Sequence, residues 1–345
     1  MMMVKGLKVE ADKKRSGTSA SAKEGTSATG SSANLMGGIK GGMRAGGSRI
    51  MLALRPRLRE WRFSLHLMSK SATSIAGIVL IVVLAFIAAF PSLLAPPIPG
   101  ARDPFVIPLD YERPVPEKPG ANFTLGSGDD GADIYYGIIW GARISMTFAI
   151  QVVLVGAFVG AILGLFAGYF GGVIDEVIMR LTDIFLSIPG LILVMAIAAV
   201  LGRGTEATKV ALLSVWWAGY TRLIRGTALS VRENSYVDAA RASGAGEIKI
   251  MFRHILPNSW TPVVVQATMD MGTVVLTLAG LSYLGLGAPI GYAEWGVMIN
   301  QGEPYITSGY WWMIVFPGLA ILSFVLAFNL MGDGLRDVLD PKMRR

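Results

Sequence analysis

Residues 235–258 read S-Y-V-D-A-A-R-A-S-G-A-G-E-I-K-I-M-F-R-H-I-L-P-N, a polar, partly charged island between two very hydrophobic stretches. Local rules predict two short helices with a glycine joint. Asn234 or Ser235 can cap the first helix. Residues 237–243 are rich in alanine, the best helix former. Gly244 stands where helices commonly end in a left-handed residue. The second helix should begin near Glu247, whose charge suits a helix N-terminus. Its apolar residues Ile248, Met251, Phe252 and Ile255 recur at helical spacing, with Lys249 and Arg253 pointing elsewhere. Pro257 is expected to reset the chain before the next apolar run.

Composition says where such an island must sit. Of 345 residues, 52% are hydrophobic and only 16% charged, whereas a soluble domain carries about 25% charge. Several apolar runs approach the roughly 20 residues that span a bilayer. The chain therefore reads as an all-α integral membrane protein. It has no cysteine, which excludes disulfides and thiolate metal sites. The net charge of +7 is the excess of Lys and Arg that membrane proteins keep near their cytoplasmic ends, and no nucleic-acid partner is needed to account for it.

Residues 1–48 are rich in Gly, Ser, Ala and Lys and lack a periodic apolar face, so they are expected to form a disordered tail. No apolar core of a secretory signal lies near the start. The basic segment 49–73 interleaves Arg55, Arg57, Arg59 and Arg62 with Leu54, Leu58, Trp61 and Phe63. It reads equally as a helix lying on the membrane surface or as a solvated linker.

Six spans are expected, at 74–94, 144–170, 184–201, 210–229, 263–286 and 311–331. A proline-rich, acidic loop separates the first two, so 74–140 is one unit of span and loop. In the second span Gly156, Gly160, Gly164 and Gly168 recur every fourth residue, a spacing that lets helix backbones approach closely in lipid. That helix should pack inside the bundle or at a subunit seam. A short polar link carrying Asp175, Glu176, Arg180 and Asp183 is expected before the third span, and 202–209 as a tight turn after it. Arg222 and Arg225, late in the fourth span, should lie at an interface.

An even number of spans puts both termini on one side. Basic residues crowd the N-terminal segment, the island and the 336–345 tail, while loops 96–140 and 288–310 are acidic or lack basic residues. Both termini and the island are therefore expected in the cytoplasm, with the chain multi-pass in the cell membrane.

The island resembles the coupling loop of ATP-binding-cassette (ABC) importer permeases: Asp238-Ala239-Ala240, then Gly244, then His254-Ile255-Leu256-Pro257, with Asp in place of Glu and His in place of Ile. The run 253–258 is similar to the oligopeptide/dipeptide/nickel branch, and the chain looks like its second, C-type permease. The likeness extends over 123–341 through Gly141-Ala142-Arg143-Ile144-Ser145, Gly168-Tyr169-Phe170-Gly171-Gly172, Met179-Arg180-Leu181-Thr182-Asp183, Leu281-Ser282-Tyr283-Leu284-Gly285-Leu286-Gly287, Trp295-Gly296 and 327–337, which makes 141–335 the permease core. There are departures: Gly128, Ala132 and Gly137 replace the family's usual Asp, Arg and Arg, and the fifth helix has Leu278 where relatives often carry Glu. The resemblance implies a type I importer fold of six transmembrane helices with a cytoplasmic coupling-helix loop at 235–258. It implies as partners a second homologous permease, two ABC ATPase subunits and an extracytoplasmic solute-binding protein. ATP and Mg would be bound by the ATPases, with no cofactor in this chain. Cargo would be di- or oligopeptides, with oligosaccharides or nickel as alternatives. Tyr236, Asp238, Ala239, Ala240, Arg241, Gly244, His254 and Pro257 would carry the coupling to ATP hydrolysis.

The residues themselves offer no catalytic constellation. There is no G-x-x-x-x-G-K-[ST] loop, no G-x-S-x-G elbow, and the two histidines, His66 and His254, are far apart. A non-catalytic subunit follows. A secondary transporter, the rival reading, would show broken helices and internal repeats. Asp270 stands out in Q-A-T-M-D-M-G, since a carboxylate at membrane depth normally faces a cavity, pore or partner. Gln266 lies four residues earlier on the same face. The pair reads either as polar lining of a translocation path or as a structural hydrogen bond.

Overall fold

A computed structural model describes residues 71–98 and 102–339. The expected N-terminal tail, most of the basic segment and the end of the C-terminal tail lie outside the described residues. The described chain is helical. Its principal helices are α1 (Ala72–Ala89), α2 (Ile134–Phe170), α3 (Gly172–Ser187), α4 (Gly190–Leu201), α5 (Thr205–Arg232), α6 (Ser235–Ala242), α7 (Glu247–Tyr283), α8 (Trp295–Gly302) and α9 (Trp312–Leu339).

Four helices, α1, α2, α7 and α9, are long and apolar enough to cross a membrane, and the pair α3–α4 makes a fifth if it counts as one bent span. The third span is thus not the continuous 184–201 helix of the sequence reading. The chain bends by 89° between Ser187 and Gly190. The cause is Pro189, which disfavours helical backbone at the residue before it; Ile188 is accordingly extended (φ −97°, ψ 134°). With 12 residues, α4 is only about 18 Å long, too short to span alone. The polar link before it is itself helix α3. In α5 the 28 residues are long enough, but Glu206, Lys209, Arg222, Arg225 and Arg232 interrupt its apolar character.

Other boundaries also shift. Asp133 caps α2 by accepting the backbone N–H groups of Tyr135 (2.9 Å) and Tyr136 (3.3 Å), so the helix begins inside the segment read as loop. At 37 residues it is about 56 Å long, well beyond a bilayer core. The supposed tight turn at 202–209 already contains the start of α5. The linker 288–310 holds α8 and a 3-10 turn, Glu303–Ser308.

The most extensively packed helix pair is α2 with α5. A Cβ on Gly156 would meet Trp216 Cβ at 3.2 Å; on Gly160 it would meet Tyr220 and, at 2.6 Å, the Trp217 carbonyl. On Gly164 it would meet Ile224 Cβ at 2.8 Å, and on Gly168 Ala228 Cβ at 2.8 Å. Between lipid-embedded helices packing rather than hydrophobicity drives association, and bare backbones give it the closest approach. Around this pair, α7 lies against α2 and α5, α9 against α7, and α1 against α9 and α2.

At the end opposite the island, segment 102–133 and the α7–α9 linker form a cap. The Ile107 N–H donates to the Gly291 carbonyl (2.9 Å), and the Ala293 N–H to that of Phe105 (2.7 Å). Trp295 is buried and donates its indole N–H to the Ile138 carbonyl (3.2 Å), and Trp312 donates to that of Ser127 (3.1 Å). Beneath them Glu294 is fully buried and caps α8 by accepting the Val297 N–H (3.0 Å). Burial raises its pKa, against the opposing pull of backbone N–H groups and the Ser282 hydroxyl.

Two predictions follow from this packing. Gly160→Leu should abolish stable accumulation in the membrane, because overpacking of this kind costs about 1–3 kcal/mol or more. Gly226→Ala on α5, where a Cβ meets nothing within 4 Å, should leave accumulation unchanged; immunoblots of membrane fractions compare the two. For Glu294 the raised pKa means that the folded state holds its proton more tightly than the unfolded state, so stability falls as pH rises through the carboxylate range. Glu294→Gln should therefore raise the thermal unfolding midpoint in detergent more at about pH 8 than at about pH 5. A variant less stable than the parent at the higher pH would contradict this.

Candidate functional site

Two features lie at the two ends of the α2–α5 seam: the island and a cavity. In the island, α6 ends in a Schellman motif, with the Ala245 N–H donating to the Ala240 carbonyl (3.1 Å) and the Gly244 N–H to that of Arg241 (3.0 Å). Gly244 has φ +78° and nothing near its missing Cβ. Only backbone strain, not space, argues for glycine there. Asn234 holds the N-cap position but its side chain caps the preceding helix instead, donating to the Val231 carbonyl (3.0 Å).

The second short helix does not stop at Pro257. It is the start of α7, joined to the rest of that helix by a π-helical turn, Met251–Ile255. Pro257 has no N–H for the ladder, and its ring crowds the carbonyl four residues back. The wider turn absorbs this, with the Leu256 N–H reaching the Met251 carbonyl. Pro257 then occupies the first turn of the α-helical stretch that follows, Leu256–Tyr283, where a missing N–H is tolerated. His254 is half-buried, and its carbonyl accepts from Asn258 (2.5 Å).

The island's apolar residues divide. Val237, Ile250, Met251 and Ile255 are fully buried in a cluster with Leu165 and Tyr169 of α2, Ile224 and Ala228 of α5 and Val263 of α7. Ile248 and Phe252 are exposed, at 69% and 45%. The helical spacing of Ile248, Met251, Phe252 and Ile255 therefore covers two faces, not one. The alanines divide too: Ala239 is exposed while Ala240 packs against the buried cluster. Tyr236, Asp238, Arg241, Ala242 and Gly244 are exposed with Ala239. Arg241 pairs with Asp238 at 3.2 Å. Tyr169 of α2 donates its hydroxyl to Glu247. Arg232 closes the C-terminus of α2 by donating to the carbonyls of Gly168 (3.3 Å) and Tyr169 (3.0 Å).

The cavity has a volume of about 510 Å³ and lies between α5 and α7, with Leu186 of α3 on its wall. It is lined by Trp216, Tyr220, Arg222, Gln266 and Asp270 among others. Asp270 lies well inside α7; one carboxylate oxygen accepts the Gln266 amide N–H (2.8 Å) and the other the Trp216 indole N–H (3.2 Å). The pair is hydrogen-bonded to a neighbouring helix through Trp216, and it also lines a cavity. Arg222 and Arg225 are matched by α3, Arg222 to Asp183 (2.5 Å) and Arg225, through its Nε and Nη2, to the two oxygens of Asp175.

Sequence reading missed Trp216 and Tyr220. Their spacing with Leu223 repeats at helical intervals along one face of α5, a signal that a lipid-facing stripe would also give. Leu278, where relatives often carry Glu, is buried in the main apolar core and does not line the cavity.

Residues 160–345 match the family described as binding-protein-dependent transport system inner membrane component. The chain belongs to that family. The permease is 40% identical over 282 residues to the dipeptide transport system permease protein DppC of Escherichia coli (strain K12), covering 81% of this chain and 92% of that one. It is 38% identical over 314 residues to the glutathione transport system permease protein GsiD of Pectobacterium atrosepticum, covering 88% and 100%. Among solved structures, an inward-facing form of the MetNI methionine ABC transporter overlaps at TM-score 0.48 with 21% identity, over 59% of this chain and 97% of that one.

Gly244→Val in the permease should cost roughly 1–2 kcal/mol of local stability by forcing a β-branched residue into left-handed backbone. Because nothing fills the space around it, the bundle should still assemble. Hydrogen exchange of the purified protein should show faster exchange confined to α6 and the start of α7; accelerated exchange in α2 or α9 would contradict this.

Proposed function

We propose that this permease imports peptides as one of two homologous membrane subunits, driven by two ABC ATPases and fed by an extracytoplasmic solute-binding protein. The ATPases bind ATP and Mg; this chain binds no cofactor and catalyses no reaction. The island and both termini face the cytoplasm in this reading, which the distribution of Lys and Arg supports. The peptide cargo is supported by relatives named for dipeptide and glutathione transport.

One observation carries the mechanism. The island is fixed from beneath and open from above: Val237, Ile250, Met251 and Ile255 are buried against α2, α5 and α7, while Tyr236, Ala239, Arg241, Ile248 and Phe252 are exposed. In this reading, an ATPase that grips the exposed face moves the three helices together. Asp238 and Arg241 offer charges to the ATPase, Gly244 sets the angle between α6 and α7, and the turn at His254–Pro257 makes the second short helix continuous with α7. Because α5 and α7 also border the cavity, moving them alters access to Gln266 and Asp270, which line the translocation path. Alternating access then needs no chemistry in this chain, only two arrangements of one packed unit.

The test is reconstitution with the cognate partners in proteoliposomes. A bulky charged replacement on the exposed face, Ala239→Arg, should leave the permease inserted while binding-protein-stimulated ATPase activity and peptide uptake both fall, by tenfold or more on the scale of a lost interface anchor. Uptake at the parental rate would contradict the coupling role. Orientation is tested separately in this cysteine-free chain: a cysteine at position 247 should react with an impermeant thiol reagent only in inverted vesicles, and labelling from outside intact cells would overturn the topology.

A further inference from the structure

The cavity between α5 and α7 has a chemical bias that a passive path would not need. Asp270 receives two neutral donors, Trp216 and Gln266, and among the described residues no Lys or Arg is paired with it. Arg222 borders the same cavity but is engaged by Asp183 at 2.5 Å. A carboxylate at membrane depth without a cation is expensive unless a cation arrives. Tyr220 lines the same cavity, and its buried hydroxyl makes no hydrogen bond in the structure, so its oxygen can accept one. The rings of Trp216 and Tyr220 complete the wall, and aromatic faces attract cations. A volume of about 510 Å³ suits a small organic ligand rather than a few waters. No group of three or more His, Cys, Asp or Glu residues gathers anywhere among the described residues, so the donor set is too poor for a divalent metal.

We infer that Asp270, Tyr220 and Trp216 form a subsite for the ammonium group of the transported solute, which for a peptide is its free amino terminus. An ammonium carries three N–H donors and no acceptor. It would donate to Asp270 and to the Tyr220 oxygen while its charge rests against the aromatic faces. Gln266 holds the other Asp270 oxygen in place. The inference rests on the reading of the cavity as the translocation path.

The probes are dialanine and N-acetyl-dialanine, whose acetyl cap removes the charge on the terminal nitrogen. Binding to the fully assembled transporter in nanodiscs, without the binding protein, is measured by calorimetry. The parent should bind dialanine about tenfold more tightly than the acetylated form, the scale of one hydrogen bond to a charged group. Asp270→Asn, which keeps the shape and, with the Gln266 amide flipped, a hydrogen bond to each neutral partner, should erase the preference, and Asp270→Glu should retain part of it. Equal binding of the two probes by the parent, no binding of either, or a preference that survives Asp270→Asn would each overturn the subsite. Should Asp270→Asn fail to assemble, the parent's preference and Asp270→Glu still decide it. Uptake of dialanine by parental proteoliposomes separates the two readings. Uptake without discrimination in the nanodisc assay defeats the subsite alone. Discrimination without uptake defeats the peptide assignment and leaves an ammonium subsite for another solute.

Discussion

The contact on which the rest of this structure depends is the approach of α2 to α5 along Gly156, Gly160, Gly164 and Gly168. Each glycine receives a large residue of α5 or its backbone: Trp216, Tyr220 with Trp217, Ile224 and then Ala228. A Cβ at three of the four would fall under 3 Å from a neighbouring heavy atom, so the helices cannot separate by a methyl's width without losing the seam. Lipid offers no hydrophobic penalty for such a separation. Apart from the Arg232 hydrogen bonds at its end, the seam holds through van der Waals contact, which is why it must be this close.

The seam sets the positions of everything that matters functionally. At one end Trp216 and Tyr220 are pressed by α2 into the wall of the cavity opposite Gln266 and Asp270. At the other, Leu165, Tyr169, Ile224 and Ala228 form the floor on which the island rests. The island adds its own fastening, Tyr169 to Glu247, and the end of α5 adds another, Arg232 to the last carbonyls of α2. The ion pairs from α3 to Arg222 and Arg225 are partly exposed, and exposed pairs contribute little to stability. They fix the direction of α3 rather than hold the bundle together.

Much of this was legible in the sequence where one residue type has one physical use. Glycine every fourth residue announced a close helix contact, the ordered motifs announced the family, and the glycine at 244 matched a left-handed helix end. Prediction failed where one pattern serves two structures. A helical run such as Ile248, Met251, Phe252 and Ile255 looks the same whether it faces one neighbour or two, and here it faces both core and solvent. Proline was misjudged twice in opposite directions. Pro257 was read as a break but sits where its missing N–H costs nothing. Pro189 lay near the start of a presumed span yet turns the chain by 89°. The cavity was half visible: a carboxylate in an apolar helix is conspicuous, whereas Trp216 and Tyr220 are indistinguishable from ordinary membrane aromatics until α7 is placed beside them.

If the island moves α2, α5 and α7 as one packed unit, its distance from the end of α2 must not change through the ATP cycle. Spin labels at the exposed positions Ser243 and Phe170, introduced as cysteines into this cysteine-free chain, measure that distance by double electron–electron resonance in the assembled transporter. The account predicts the same narrow distribution without nucleotide and with ATP trapped, its mean constant to within about 2 Å, the scale of ordinary helix adjustments. A shift of about a helical turn, roughly 5 Å, or a second population appearing with ATP, would mean that the island slides over the bundle instead of driving it.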